Sequence, residues 1–348
     1  MKFPEVKPVN RSNEAGIGKK IDSLTKPIGS LGMLERIAKQ IALVQNTLTP
    51  AINKKRVYVF ASDHGIALEG VSAYPQEVTA QMVLNFLKGG AAINVFSRHT
   101  GTEVFVIDAG VKSDIDVKHR NFLVRKVGNS TKNFLKEPAM TRMEAENCIQ
   151  KGMDLAAEAF NDRVDILIAG DMGIGNTTVA TAVAAAAGID LEKVIDIGTV
   201  IDDQTLARKK ETVRKALELR KPDPNDPVDI LAKVGGFCLG EMTGLILKAA
   251  SLGIPVVLDG FPVTSAALLA CRINPNVRDY LLGGHLSFVK GHGEQLKHLN
   301  IEPILRLDMR LGEGTGGVLA VSMIEAAVKM MNEMASFDSA GVSRGSEA

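Results

Sequence analysis

The run Val57-Tyr58-Val59-Phe60-Ala61-Ser62-Asp63-His64-Gly65 decides the fold of this chain. Its apolar residues are consecutive and rich in β-branched and aromatic types, as in a strand buried on both faces. An acid and a glycine close the run, so the buried segment ends in a polar turn. The pattern recurs. Val104-Phe105-Val106-Ile107 ends in Asp108-Ala109-Gly110, Ile166-Leu167-Ile168-Ala169 in Gly170-Asp171, and Val256-Val257-Leu258 in Asp259-Gly260. Between these runs the spacing predicts helices over 78–87, 142–160, 177–187 and 206–219. The second of these opens on a Thr141-x-x-Glu144 capping box. Strands alternating with helices predict βαβ units, hence an α/β, Rossmann-like parallel sheet flanked by helices. Polar groups collected at the carboxyl ends of such strands mark where a ligand binds.

Outward from the sheet, the two ends of the chain read as helical. Leu34, Ile37, Ile41 and Val44 repeat at three- and four-residue spacing, one face of a helix, after the turn signal Lys26-Pro27-Ile28-Gly29-Ser30. An apolar helix is expected over 318–334. Residues 1–50 and 318–335 are therefore expected to form a small helical domain beside a large α/β domain over 51–317. The small, polar stretch 336–348 is expected to be a disordered tail.

With 348 residues, 45% hydrophobic and 23% charged, the chain can bury a core that needs no disulfides. Its three cysteines, Cys148, Cys238 and Cys271, form no C-x-x-C pair and fit a reducing compartment. Forty-one basic against 40 acidic residues, with no Trp and three Tyr, argue against a nucleic-acid partner. The first residues lack the apolar core of a signal peptide, and no uncharged apolar run reaches the roughly 18 residues of a membrane span. A cytoplasmic protein without a membrane partner is expected.

Two glycine-rich segments could carry chemistry. Gly170-Asp171-Met172-Gly173-Ile174-Gly175-Asn176-Thr177-Thr178 follows a strand and opens a helix. Backbone N–H groups at a helix start can receive a phosphate. The segment is neither a Walker A loop nor a dinucleotide fingerprint, since Thr178 stands where the third glycine belongs. A plain strand-to-helix turn is the alternative. Leu311-Gly312-Glu313-Gly314-Thr315-Gly316-Gly317 sets one carboxylate among glycines ahead of a helix, a pattern fit for a general base or for a simple turn. A third segment, Ile201-Asp202-Asp203-Gln204-Thr205, is like the ribose loop of common phosphoribosyltransferases but lacks the glycine that cradles a 5′-phosphate. Lys209 and Lys210, one turn on, could meet a phosphate or simply face solvent. His64, His285 and His292 show no metal-ligand spacing, so no metal and no cofactor is expected.

Taken together and in order, the motifs resemble one family. Asp22-Ser23-Leu24-Thr25-Lys26-Pro27, Gly29-Ser30-Leu31-Gly32, Ala61-Ser62-Asp63-His64-Gly65 and Pro75-Gln76-Glu77-Val78-Thr79 lead. Gly173 to Thr178, Lys233-Val234-Gly235-Gly236-Phe237, Asp259-Gly260-Phe261 and Met309 to Gly316 follow. The stretch 22–334 closely resembles the nicotinate-nucleotide:dimethylbenzimidazole phosphoribosyltransferase family. The resemblance implies a large α/β domain, a small domain built from both termini, and a homodimer. It implies that nicotinate mononucleotide and 5,6-dimethylbenzimidazole give α-ribazole 5′-phosphate and nicotinate in cobalamin assembly. It places the catalytic base on Glu313, the nucleotide near Asp171, Gly173 and Lys209, and the benzimidazole near Tyr74 and Met82. Met172, Asn176, Gly198, Ser287, Gly312 and Gly314 are further substrate-binding candidates.

The implied chemistry needs no metal, because a pyridinium leaves already positive on nitrogen. One carboxylate suffices to take the proton of the attacking azole. Three positions depart from the family's pattern: Asp171 replaces a glutamate, Val289 replaces another after His285-Leu286-Ser287, and Gly198-Thr199-Val200 replaces Gly-Thr-Gly. Two other readings remain at this point. One is a relative that binds a nucleotide or azole without turnover; the other is a nicotinamide-dependent oxidoreductase.

Overall fold

A computed structural model describes residues 1–195 and 203–343. Among them are seven strands: β1 (Lys55–Ser62), β2 (Glu103–Gly110), β3 (Phe122–Val124), β4 (Ile166–Met172), β5 (Val256–Leu258), β6 (Leu281–His285) and β7 (Pro303–Leu305). They form one sheet in the order β3-β2-β1-β4-β5-β6-β7, every neighbouring pair parallel. Val57 stands beside Val104 on one side and Ile168 on the other, while Leu167 meets Val256. All eight residues of β1 are buried, which is why its sequence shows no inside-outside alternation.

The chain builds outward from β1 in one direction and then returns to build the other half from β4. The strand order therefore reverses between β1 and β4, where adjacent loops leave in opposite directions and open a crevice.

Helices cover both faces of the sheet. They are α1 (Glu14–Asp22), α2 (Met33–Val44), α3 (Glu77–Leu87), α4 (Ala92–Thr100), α5 (Arg142–Asn161), α6 (Asn176–Ala186) and α7 (Leu191–Val194), followed by α8 (Asp203–Arg220), α9 (Pro227–Val234), α10 (Phe237–Ser251), α11 (Phe261–Ile273), α12 (Lys290–Leu299), α13 (Thr315–Glu333) and α14 (Phe337–Ala340). Helices α10 and α11 pack on each other and on β4 and β5, with α5 behind α10. Helix α13 packs on β4 to β7 and on α4 and α2. The capping box of α5 is formed: Thr141 Oγ1 accepts from the Glu144 N–H, and Glu144 Oε2 accepts from the Thr141 N–H at 2.7 Å.

Two expectations change. The C-terminal helix starts at Thr315, one turn before Val318, because Gly314 rather than Gly317 is its cap. The stretch from Ser336 is not irregular from its start. Ser336 pairs with Leu24, caps the short α14, and the Phe337 N–H donates to the Ser23 carbonyl at 3.0 Å. These backbone bonds to the N-terminal segment satisfy groups that a free tail would leave to water. Among the described residues, no helix is long and apolar enough to cross a membrane.

Candidate active site

A cleft of about 400 Å³ opens at the carboxyl ends of β4, β5 and β6, within the range of small-molecule sites. Asp171 and Met172 end β4, Asp259 follows β5, and His285 ends β6; all four line the cleft. One wall is apolar, from Val71, Tyr74, Val78 and Met82, the last two on α3. The start of α11 supplies Phe261 and Val263. Two glycine loops complete the cleft: Gly173–Thr177, and the segment from Arg310 to Glu313.

The second loop has an unusual backbone. Gly312, Glu313 and Gly314 lie in succession at φ +85°, +63° and +90°. For a non-glycine residue such a conformation costs roughly 1–2 kcal/mol, so something must hold Glu313 there. Asp259 does. Its Oδ2 accepts from the Gly314 N–H at 3.1 Å, and its Oδ1 accepts from Gly316 at 2.8 Å and Gly317 at 3.1 Å. These are orphan donors at the N-terminus of α13, where a carboxylate is favoured. The loop also lies flat on β4. A Cβ at Gly170 would sit 2.5 Å from the Glu313 carbonyl oxygen, so only glycine admits the contact.

Glu313 is thus buried at 4% exposure while lining the cleft, and its Oε2 accepts from the Ile93 N–H at 3.3 Å. Burial raises its pKa above the ordinary glutamate value, the Ile93 N–H opposes the rise, and the Asp259 charge adds to it. Asp171 is buried too, and burial pushes its pKa up to about 6. The neighbouring Cys238 thiol and the Asn176 amide pull it down, whereas Asp259 pushes it further up. Asn176 Nδ2 donates to Asp171 Oδ2 at 2.6 Å.

Tyr74, Met82, Asp171, Met172, Gly173, Asn176, Ser287, Gly312 and Glu313 all line this one cleft. Lys209 does not. It is buried behind the first loop, where Nζ donates to Thr177 Oγ1 at 3.1 Å, and Thr177 faces the cleft. Lys210 turns outward and pairs with Glu192. Gly314 lies beneath the cleft rather than in it, because its N–H is taken by Asp259. Gly198 and Asp202 lie outside the described residues.

The histidines have separate surroundings. The Ser287 N–H donates to His292 Nδ1 at 3.0 Å, and His292 Nε2 lies 3.0 Å from Thr264 Oγ1. Burial, with help from His285, pushes the His292 pKa down to about 3, so the ring is a neutral strut under Ser287. His285 Nε2 stands 3.6 Å from Asp259 Oδ1. His64 is buried against Cys238, 3.9 Å from its Sγ, and burial lowers its pKa to about 4. No group of three or more metal-ligating side chains occurs among the described residues.

Sequence reasoning marked Asp259 as a strand-end acid but gave it no task. Its partners lie 55 to 58 residues away, so no local spacing reveals them. Phe261 and Arg310 belong to quoted motifs, yet only the fold turns them to the cleft.

A cleft with two glycine loops and three buried acids, Asp171, Asp259 and Glu313, suits group transfer from a phosphorylated substrate. The profile of a phosphoribosyltransferase family, DBI_PRT, matches residues 6–342. The nicotinate-nucleotide–dimethylbenzimidazole phosphoribosyltransferase of Geobacter sp. (strain M21) is 48% identical over 339 residues, 97% of each chain. That of Chloroflexus aggregans is 49% identical over 328 residues, 94% of this chain and 93% of its own. Two crystal structures from Thermus thermophilus superpose closely. The nicotinate-nucleotide–dimethylbenzimidazole phosphoribosyltransferase has a TM-score of 0.90 at 45% identity, covering 95% of this chain and 98% of its own. The protein called CobT has a TM-score of 0.92 at 46% identity, covering 95% and 99%. The chain is a phosphoribosyltransferase. It belongs to the nicotinate-nucleotide–dimethylbenzimidazole phosphoribosyltransferase family.

The raised Asp171 pKa has a consequence for stability. A carboxyl that holds its proton more tightly folded than unfolded favours folding most at low pH. That contribution falls as pH rises from the ordinary value of 3.8 to about 6. Asp171→Asn removes the titration and keeps an oxygen for Asn176. The variant should melt higher than wild type at pH 7.5, and the gap should shrink steadily by pH 4.5 in paired melting curves. A gap independent of pH would mean Asp171 is not the titrating group.

Proposed function

We propose that the cleft transfers the phosphoribosyl group of nicotinate mononucleotide to 5,6-dimethylbenzimidazole, with Glu313 as the base. One observation carries this assignment: Glu313 is held, buried and with a raised pKa, in a cleft between an apolar wall and a glycine loop at a helix start. The wall formed by Val78, Met82 and Tyr74 suits a flat, apolar azole. The loop Gly173–Thr177 and the N-terminus of α6 suit a phosphate, with the buried Lys209 cation behind Thr177. On the substrate side, the nicotinate ring is a cation until the glycosidic bond breaks and leaves neutral on nitrogen. The attacking nitrogen gains a bond to C1′, and the other ring nitrogen loses its proton to Glu313. A single displacement turns the β-nucleotide into an α-product. Holding both rings in line supplies much of the rate, and a raised pKa makes the glutamate a stronger base.

The same reading takes the chain as a cytoplasmic homodimer. The unpaired cysteines support a reducing compartment. Tyr74 and Leu311 line the cleft while 54% and 55% exposed, and Phe288 beside it is 56% exposed; such an apolar rim supports cover by a second copy. It also takes α1, α2 and the C-terminal helix as a small domain, supported by the packing of α2 on α13 and the Leu24–Ser336 pairing.

Glu313→Gln keeps shape and removes basicity. Turnover under saturating substrates should fall by about 10²–10⁴-fold with the fold intact and the melting temperature at pH 7.5 no lower than wild type's. Near-normal nicotinate release would sink the assignment of the base.

Lys209→Ala tests the phosphate subsite. The phosphate does not react, so its contacts chiefly bind and position. The Michaelis constant for nicotinate mononucleotide should rise more than that for dimethylbenzimidazole. The dephosphorylated nucleoside should be a poor substrate for wild type and nearly insensitive to the change. Equal damage to nucleoside and nucleotide turnover would make the lysine structural and put the phosphate elsewhere.

A further inference from the structure

Helix α3 carries two stripes. Val78 and Met82, four apart, line the cleft, whereas Thr79, Val83 and Phe86 are buried. Thr79 is the polar member of the buried stripe and is fully inaccessible. Its hydroxyl donates to Asp63 Oδ1 at 2.8 Å and accepts from the Ile174 N–H at 3.2 Å. A hydroxyl can do both at once; no apolar side chain of that size can do either.

Both partners are themselves fixed. Asp63 follows β1, its N–H donates to the Gly110 carbonyl, and its Oδ2 accepts from the Lys112 N–H at 2.8 Å. Ile174 sits between Gly173 and Gly175, in the loop that opens α6. One oxygen therefore joins the end of β1, the helix that forms the apolar wall, and the loop after β4. The join spans the place where strand order reverses. It sets the distance between the wall and the glycine loop from behind, without itself facing the cleft.

We propose that Thr79 is a positioning residue for the transfer reaction: its hydroxyl clamps the azole wall to the nucleotide loop, so that the two rings meet at reacting distance. This rests on the reaction proposed above. A misplacement of the order of 1 Å is enough to cost about 10²-fold in such a step. Binding of each substrate alone depends less on the clamp, since each contacts mainly its own wall or loop.

The test compares Thr79→Val, which keeps the shape, with Thr79→Ser, which keeps the hydroxyl. Thr79→Ser should hold kcat within about twofold, whereas Thr79→Val should lose about tenfold or more, each Michaelis constant moving less than kcat. In parallel, exchange of the Ile174 amide hydrogen should speed up by about tenfold or more in Thr79→Val and stay near wild type in Thr79→Ser. A hydroxyl that only stabilises the fold would lower the melting temperature and leave kcat of the folded fraction unchanged; that result, or an unaltered Ile174 exchange rate, overturns the clamp. If Thr79→Val does not fold, Thr79→Ala takes its place, and loss of kcat in Thr79→Ser as large as in Thr79→Ala overturns it equally. Wild-type enzyme that releases no nicotinate from the mononucleotide overturns the reaction instead, a result the exchange measurement does not share.

Discussion

The bond set on which the site depends is the one between Asp259 and the start of α13. A carboxylate at 2% exposure is costly to bury alone. Here three backbone N–H groups, those of Gly314, Gly316 and Gly317, meet it. Hydrogen bonds to a charged group are worth about 1.5–3 kcal/mol each, so even two of them exceed the roughly 1–2 kcal/mol of a left-handed Glu313. The same carboxylate therefore caps a nineteen-residue helix and holds the strained residue in front of it. Its charge also pushes the Glu313 pKa up. Burial is the larger cause of that rise, and Asp259 adds to it while holding the loop in place.

The four strand-end acids show how one sequence pattern serves different ends. Asp63 takes the Thr79 hydroxyl and the Lys112 N–H. Asp108 takes the Val111 N–H at 2.9 Å and faces Lys126. Asp259 is saturated by the start of α13. Asp171 differs. Its Oδ2 is held by Asn176, while Oδ1 is buried without a well-formed hydrogen bond beside the cleft. A buried acceptor left open at a cleft is the kind of group that a ligand can satisfy. Asp63 and Asp259 tie loops together, and Asp171 has capacity left over.

How much was legible follows from the range of the forces involved. The strands β1, β2, β4 and β5 were visible because buried parallel strands are continuous apolar runs. The strands β3 and β7 are as short as β5 but only partly buried, and neither ends in the acid and glycine that mark the others. In β6, Gly283 and Gly284 interrupt the apolar run. The capping box at Thr141 is a three-residue interaction and was read correctly. The clamp by Asp259 links strand and helix across more than fifty residues, and nothing local announces it. Lys209 was placed near the nucleotide by motif matching, but its position behind Thr177 is a matter of packing. The tail from Ser336 is polar by composition, yet its attachment is backbone to backbone with Ser23 and Leu24, which composition cannot register.

Two carboxylates with raised pKa values, Asp171 and Glu313, share the cleft with the Asp259 charge. On the proposed reaction this crowding changes meaning as bonds change. Before transfer, the pyridinium of the bound nucleotide is a cation that offsets the acids, which favours an ionised Glu313 ready to accept a proton. Breaking the glycosidic bond neutralises that ring, and the azole that bonds to C1′ takes up the positive charge. The cation has thus moved from one ring to the other, and it makes the remaining N–H of the azole strongly acidic. Passing that proton to a carboxylate neutralises both the azole and one of the crowded acids. On this reading the proton becomes acidic only as the azole bonds to C1′, and the raised pKa of Glu313 lets it take that proton. On the proposed reaction the substrate's own charge, carried from pyridinium to azole, drives the proton transfer, and a buried carboxylate receives it.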